Sequence, residues 1–244
     1  MNMRKIDDEI QALLSEHRGD IRSILKDNHR LDLLYALSSQ RELLLEWYDF
    51  EPEAEVLQVG ADYGALTGLL RSSVSAVTVL DDTESALETV RQRYPGAANI
   101  HYHKDSLTGY AAEACAEGKK YDYVIFAGTL TAPYEDHIHA AKALLKPEGI
   151  LIVASANALG MKYFAGTVEE ENALTKRQLM ELLCGDKENQ SMAEENGALK
   201  FYYPMPDYKT PVSIYSDAYL PKKGDLTRVT PAYDYPPYHM MEQG

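Results

Sequence analysis

Between residues 55 and 154, five short apolar runs alternate with stretches of helical periodicity, and this alternation limits the fold more than any other feature. The runs are Glu55-Val-Leu-Gln-Val-Gly60, Ala76-Val-Thr-Val-Leu80 closed by Asp81-Asp82, Asn99-Ile-His-Tyr-His103, Tyr121-Asp-Tyr-Val-Ile-Phe126 and Gly149-Ile-Leu-Ile-Val-Ala154. They predict strands near 55–60, 76–81, 99–103, 121–126 and 149–154. The segments between them predict helices over 65–71, over 83–94 and over 137–145. Thr83 is placed to cap the second of these and Pro95-Gly96 to stop it, while Lys146-Pro-Glu-Gly149 ends the third. Apolar strands separated by helices imply a mainly parallel sheet with helices on both faces, a Rossmann-like α/β fold. Ligands of such sheets bind at the carboxyl ends of the strands, so the residues just after each strand are the informative ones.

The flanks differ in texture. Residues 4–46 read as helices: Ile6, Ile10, Leu13 and Leu14 share one face, and Leu31, Leu34 and Leu37 share another. Thr175 to Leu183 reads as a further helix. From Phe201 onward the chain carries eight of its 18 tyrosines and seven of its 11 prolines. Such a segment is too aromatic for a disordered tail and is expected to be an ordered, loop-rich cap. The expected organisation is an N-terminal helical segment over 1–48, a ligand-binding core over 49–160 and a C-terminal substrate or cap region over 161–244.

Composition narrows the partners. With 244 residues, 45% of them hydrophobic, the chain suits one α/β domain with decoration. A net charge of −14 argues against a nucleic acid or an anionic membrane surface as partner, since both require a cationic face. No apolar run approaches the roughly 18 residues of a membrane span, and Met1 to Asp8 lacks the apolar core of a signal peptide. The two cysteines, Cys115 and Cys184, suit free thiols in a reducing compartment. A cytoplasmic location without membrane insertion is expected.

The loop after the first strand, Gln58-Val-Gly-Ala-Asp-Tyr-Gly64, is the candidate cofactor site. Gly60 and Gly64 allow backbone amides to approach a ligand closely. Asp81 ends the next strand about 20 residues on, where a carboxylate can accept from ribose hydroxyls. Asp105, followed by Ser106, ends the third, where an adenine amine would be met. The plain alternative is that the glycines serve a turn and Asp81 caps a helix. A dinucleotide enzyme would carry Gly-x-Gly-x-x-Gly. The glycines here fall at 60, 64 and 68 with Asp62 between, so an NAD-type oxidoreductase fits less well.

On these residues the sequence resembles the class I S-adenosylmethionine (SAM) methyltransferases. Val56 to Leu70 resembles their first motif, Asp81 their ribose carboxylate, Tyr121 to Phe126 their fourth strand, and Leu144-Leu-Lys-Pro-Glu-Gly-Ile-Leu-Ile-Val153 the entry to their fifth. The resemblance implies SAM as cofactor, held by Gln58, Gly60, Asp62, Gly64, Asp81 and Asp105. It also implies methyl transfer to a small or carbohydrate-linked acceptor, expected at oxygen. A narrower resemblance rests on Leu37-Ser-Ser-Gln-Arg-Glu-Leu-Leu-Leu-Glu-Trp-Tyr48, Asn157-Ala-Leu-Gly-Met-Lys-Tyr-Phe-Ala-Gly166, Phe201-Tyr-Tyr-Pro-Met-Pro-Asp-Tyr208 and Ile214-Tyr-Ser-Asp217. These strings are similar to a bacterial subgroup found beside, or fused to, glycosyltransferases of surface-polysaccharide assembly. That similarity implies acceptor contacts at Asn157, Tyr203, Asp207 and Tyr208, and either a homodimer or a glycosyltransferase-associated assembly. Flat tyrosine rings pack on apolar sugar faces while a carboxylate such as Asp207 takes hydroxyls, although packing roles for Tyr202, Tyr203 and Tyr208 are the simpler reading.

The chain also departs from that subgroup. Gln58 stands where a glutamate is usual, Asp62 where a glycine is usual, Ala156 where a glutamate precedes the asparagine, and Glu169-Glu-Glu171 where Glu-Asp-His is usual. A stretch before Thr175 and a last strand after residue 240 are missing from the pattern. These departures support a rival of another class, a non-catalytic methyltransferase-like partner or scaffold in polysaccharide assembly. A carboxylate at 62 near the methionyl carboxylate of SAM would cost up to about 4 kcal/mol at ~4 Å and a dielectric near 20. The same carboxylate could instead meet the ligand's ammonium. The expectation adopted is a negative charge relocated from 58 to 62, since Asp tolerates the left-handed backbone of a glycine position.

Other polar clusters are weaker. His137, with Asp136 and His139, lies beyond the fourth strand near the expected acceptor mouth and is the candidate general base. His101 and His103 alternate on a strand with no third ligand evident nearby, so no metal is expected. The 169–171 acidic run reads as a solvated face.

Overall fold

The computed structural model describes residues 3–164, 166–168, 170, 172–220 and 222. Glu169 and Glu171 of the acidic run and the Tyr- and Pro-bearing residues 223–244 lie outside the described residues, and so does the expectation about a last strand after residue 240.

Three helices open the chain: α1 (Met3–Glu16), α2 (Ile21–Asp27) and α3 (Leu31–Leu37). Their apolar positions Ile10, Leu14, Ile24, Leu33, Ala36 and Leu37 bury against one another. In α3 the buried face is Leu33, Ala36 and Leu37, while Leu31 is exposed, so the expected Leu31–Leu34–Leu37 stripe is corrected by one helical step. The i, i+3, i+4 set that docks is the one facing α1 and α2. A 3-10 stretch over Ser39–Leu44 then leads to the sheet.

The sheet comprises β1 (Glu55–Val59), β2 (Ala76–Asp81), β3 (Ile100–Lys104), β4 (Tyr121–Ala127) and β5 (Leu145–Ala154) in the order β3-β2-β1-β4-β5, every pair parallel. The expected parallel α/β fold is therefore observed. β5 begins four residues before its expected start. Tyr121 pairs with Leu145 but Tyr123 with Ile150, so Lys146-Pro-Glu-Gly149 is absorbed as a bulge inside the strand. Proline has no N–H for the ladder, which is why the extra residues collect there.

Alternation along each strand sends side chains to two cores. On one face α4 (Thr67–Ser73) and α5 (Glu84–Arg93) supply Leu70, Leu87 and Val90 against Val56, Val77, Val79 and Ile125. On the other, α6 (Leu107–Ala116) and α7 (Tyr134–Ala143) supply Leu107, Ala111, Ile138 and Ala141 against Leu57, Leu80, Val124 and Phe126. The helix α6 is new relative to the sequence reading. Its alanine-rich run has strong helix propensity, its buried set is Leu107, Tyr110, Ala111 and Ala114 while Ala112 and Ala116 lie exposed, and Ser106 caps it by accepting the Gly109 amide at 3.1 Å. Thr83 stands at the start of α5 but does not cap it: its hydroxyl donates to Asp81 Oδ1 at 2.8 Å.

Beyond β5 come α8 (Met161–Phe164), α9 (Lys176–Cys184) and α10 (Lys187–Glu195). Thr175 caps α9 reciprocally with Gln178. An antiparallel hairpin follows, β6 (Tyr202–Met205) with β7 (Ser213–Ser216), so the expected loop-rich cap contains regular structure. Among the described residues no helix is long and apolar enough to cross a membrane.

Candidate functional site

Strand order reverses at β1, with β2 on one side and β4 on the other. Ligands of such sheets bind at this point, beyond the carboxyl ends of the two diverging strands. The β1 loop carries Gly60 to Gly64, and the β4 loop begins at Gly128-Thr129. The two touch. Thr129 lies against Gly60, closer than a Cβ would allow, and its hydroxyl donates to the Val59 carbonyl. Gly60 also has φ +86°, so glycine is required there by conformation and by space.

The β1 loop is braced by its own neighbours. Gln58 is buried; its Nε2 donates to the carbonyls of Gly60 (3.1 Å) and Ala61 (3.3 Å), and its Oε1 accepts from Thr67 Oγ1 (2.8 Å). An amide does both, whereas an ionised carboxylate could not donate. Arg93 donates to the Tyr63 carbonyl at 3.0 Å and to the Leu37 carbonyl at 2.9 Å, and Tyr94 donates to the Gly64 carbonyl at 2.9 Å. Tyr63 anchors the loop to the N-terminal helices through Asp7, at 2.7 Å. Burial and that hydrogen bond push the Tyr63 phenol well above its ordinary range. Asp62 and Tyr63 both have positive φ, +39° and +52°.

Asp62 does not stand as a lone charge. Its Oδ2 is 3.0 Å from Nη1 of Arg41, which is only 5% exposed. The two charges meet without a hydrogen bond: Asp62 Oδ2 and Arg41 Nε are both buried and have no hydrogen-bond partner among the described residues. A buried polar group left so costs about 1–3 kcal/mol. The Tyr208 ring covers the guanidinium, its centroid 5.2 Å from Arg41 Cζ, and its hydroxyl presses on Gly128, which has φ +82°. Burial pushes the Tyr208 phenol far up.

Asp81 ends β2 facing this loop. Its Oδ2 accepts the Ala61 amide at 2.9 Å, and its Oδ1 accepts the Thr83 amide and hydroxyl at 2.9 and 2.8 Å. A carboxylate offers about four lone-pair sites, so roughly one remains for a ligand hydroxyl. Asp105 follows β3 directly and accepts the Ser106 amide at 2.7 Å. Ligating atoms of His103, Asp105 and Glu113 lie within 4.8 Å of one another, so His103 does have carboxylates nearby, supplied by α6 and the strand end rather than by His101. Two of these three are half-buried and Glu113 is exposed.

The residues expected at the acceptor are spread out. Tyr208 sits on the cofactor side, as described. Asp207 faces Lys162 at 3.4 Å, and Lys162 in turn donates to Glu170 at 2.7 Å. Tyr203 is bound to Asp217 and accepts from Lys176 at 3.0 Å. Tyr202 leans on Trp47, centroids 4.6 Å apart. The tyrosines therefore form no shared stack. Asn157 is exposed just past β5. His137, in the first turn of α7, has Nδ1 2.9 Å from the Thr131 carbonyl. A carbonyl only accepts, so Nδ1 carries the hydrogen and Nε2 is left as the basic nitrogen.

Sequence reasoning did not single out Arg41, Thr67, Arg93, Tyr94 or Thr129. The Gly128-Thr129 pair directly after a strand was the available signal. Arg41 lies too far from the loop in sequence for any spacing rule to reach it.

No protein-family model and no curated protein matches the sequence. Among solved structures, the chain is similar to the N-methyltransferase NodS from Bradyrhizobium japonicum WM9 in complex with S-adenosyl-l-homocysteine, at 18% identity over 71% of this chain and 83% of that one, TM-score 0.47. It is also similar to the CcbJ methyltransferase from Streptomyces caelestis, at 20% identity over 50% of this chain and 51% of that one, about half its length, TM-score 0.41. The glycopeptide N-methyltransferase MtfA complexed with SAM gives 20% identity, 54% and 57% coverage and a TM-score of 0.40. None reaches 0.5, and the fold assignment rests on the strand order and register above.

Proposed function

We propose that the chain binds SAM across the β1 loop and transfers its methyl group to a small or carbohydrate-linked acceptor, at oxygen. One observation carries the reading: the Asp81 carboxylate is held against the Ala61 amide at the switch point with an acceptor site to spare. Asp81 would take the ribose, Asp105 the adenine end, and the Gly60–Gly64 turn the amino-acid end. The residues present fit such a ligand, because the orphan donor on Arg41 and the orphan acceptor on Asp62 match groups of opposite charge.

When bound, the cofactor supplies an electrophilic methyl on a sulfonium. The protein's part is alignment and proton removal. The braced loop fixes the donor, so proximity supplies much of the rate. An acceptor hydroxyl needs a base, and we assign that role to His137, whose Nδ1 meets the Thr131 carbonyl and whose Nε2 is the nitrogen left for it. The carbohydrate-linked acceptor, and an assembly with a glycosyltransferase or a second copy, rest on the sequence resemblance.

A second reading is a non-catalytic, methyltransferase-like partner protein. It draws on Thr129 and Tyr208 filling the space beside Gly60 and Gly128. Isothermal titration with SAM and with S-adenosylhomocysteine separates the two: micromolar binding is expected, and no binding of either would leave the second reading standing.

A further inference from the structure

We infer that the protein carries a saccharide-binding cavity at Trp47, Tyr202 and Glu46, completed by hydroxyls of β7, and that it takes neutral or amino-bearing pyranose sugars. The cavity encloses about 470 Å³ between residues 43–47 and the β6–β7 hairpin. None of its lining residues belongs to the loops after β1 or β4, so the site stands apart from the SAM crevice, whichever acceptor that crevice takes.

Two aromatic side chains dominate the lining. The rings of Trp47 and Tyr202 have centroids 4.6 Å apart and planes inclined at 46°, yet the two residues stay 45% and 42% exposed. The indole is held in place: its Nε1 donates to the Leu44 carbonyl at 2.8 Å, and Tyr48 meets it edge-on with centroids 5.9 Å apart. Covering such rings is favourable, since they carry a large apolar area. The C–H face of a pyranose is flat and apolar, and it can cover a ring while its hydroxyls point outward. The polar part of the lining suits those hydroxyls. Glu46 precedes Trp47 in the chain, and Ser213, Tyr215 and Ser216 come from β7; none of these four side chains has a hydrogen-bond partner among the described residues. They offer one carboxylate that only accepts and three hydroxyls that accept or donate. Apolar walls with a few convergent polar groups are the usual form of a small-molecule site. The dry centre of a protein interface would instead leave those four groups unpaired. Among the described residues Glu46 is the only charged one in the lining, so a neutral or amino-bearing sugar is favoured and a uronic acid or sugar phosphate is not. Three strings singled out in the sequence, over 37–48, 201–208 and 214–217, meet at this cavity.

Trp47 is the chain's single tryptophan, so its fluorescence reads the cavity directly. Cellotriose, the glucosamine trimer and trigalacturonate are titrated into wild type, Tyr202→Ala and Glu46→Gln, with melting curves of each protein alone. Cellotriose and the glucosamine trimer should shift the Trp47 emission with a Kd of about 0.1–1 mM, as for an open site of this kind. Trigalacturonate should bind about tenfold more weakly than cellotriose, because Glu46 repels it. Tyr202→Ala should weaken cellotriose about tenfold, the scale of a lost aromatic contact. Glu46→Gln should bring trigalacturonate to within about threefold of cellotriose, and it decides the matter if Tyr202→Ala does not fold. No emission change with any of the three at about 10 mM overturns the site. A folded Tyr202→Ala that binds cellotriose as wild type does overturns it too. So does an emission that follows protein concentration alone while sedimentation shows a dimer, since a second copy then covers the cavity.

Discussion

The Oδ2 of Asp81 accepts the amide of Ala61 at 2.9 Å, tying the end of β2 to the turn that follows β1. The same carboxylate holds the start of α5 through Thr83. Asp81→Ala should therefore act twice. SAM affinity should fall by about 1.5–3 kcal/mol, the scale of a hydrogen bond to a charged group, and the unliganded protein should melt at a lower temperature. Equal SAM affinity in wild type and variant would remove Asp81 from the ligand site.

Gln58→Glu restores the residue that the related pattern carries, yet it should destabilise this chain. It replaces two donated hydrogen bonds with a carboxylate facing two carbonyl oxygens in a buried site, at a cost of about 1–3 kcal/mol near neutral pH. The new carboxyl would have a folded pKa raised above its unfolded value. Its contribution is then present below the unfolded pKa and lost as pH rises through the folded one, so the deficit should shrink toward pH 4. Urea denaturation of both proteins between pH 4 and 8 measures it.

Gly60→Ala meets Thr129 and a backbone at φ +86° together. We expect about 1–3 kcal/mol from overlap and about 1–2 kcal/mol from the left-handed conformation. Adding Thr129→Gly should recover the first part and not the second. Complete recovery in the double variant would show that the turn relaxes out of positive φ.

Lys162, Glu170, Asp207 and Lys209 join α8 to the segment after β6. Burial opposes ionisation of Glu170, but hydrogen bonds from Lys162 and Lys209 hold its carboxyl below the ordinary value of 4.5. Burial likewise opposes charge on Lys162, and Glu170 and Asp207 keep it above 10.5. The Glu170 contribution is present above about pH 4.5 and lost as pH falls through its folded pKa. That of Lys162 is present below about pH 10.5 and lost as pH rises through its folded pKa. Glu170→Gln should be less stable than wild type at pH 7, with the gap closing toward pH 3.

His137→Gln should lower the methyl-transfer rate by about 10²- to 10⁴-fold, as for loss of a general base, with SAM affinity unchanged. A rate within threefold of wild type would assign the base elsewhere.

The sequence by itself determined the sheet. The inner strands β1, β2 and β4 lie within a few residues of their apolar runs because parallel strands buried on both faces demand continuous apolar side chains, a signal carried locally. It also marked the ends of β1 and β2, since a strand that stops at Gly60 or Asp81 advertises the stop in one residue. The meaning of those residues was decided only in three dimensions. Gln58 reads as a lost charge in one dimension; in the fold it is an internal brace, because Thr67 and the carbonyls of Gly60 and Ala61 converge on it. Asp62 reads as a surplus charge, and Arg41, 21 positions earlier in the chain, answers it. The helix α6 escaped detection because Ala112 and Ala116 on its exposed side blur the contrast with the buried Leu107, Tyr110, Ala111 and Ala114, and the three tyrosines of the cap were separated by a hairpin whose register no periodicity announced. Local pattern fixes which backbone forms; which side chains meet depends on packing between segments tens of residues apart, and no spacing rule encodes that.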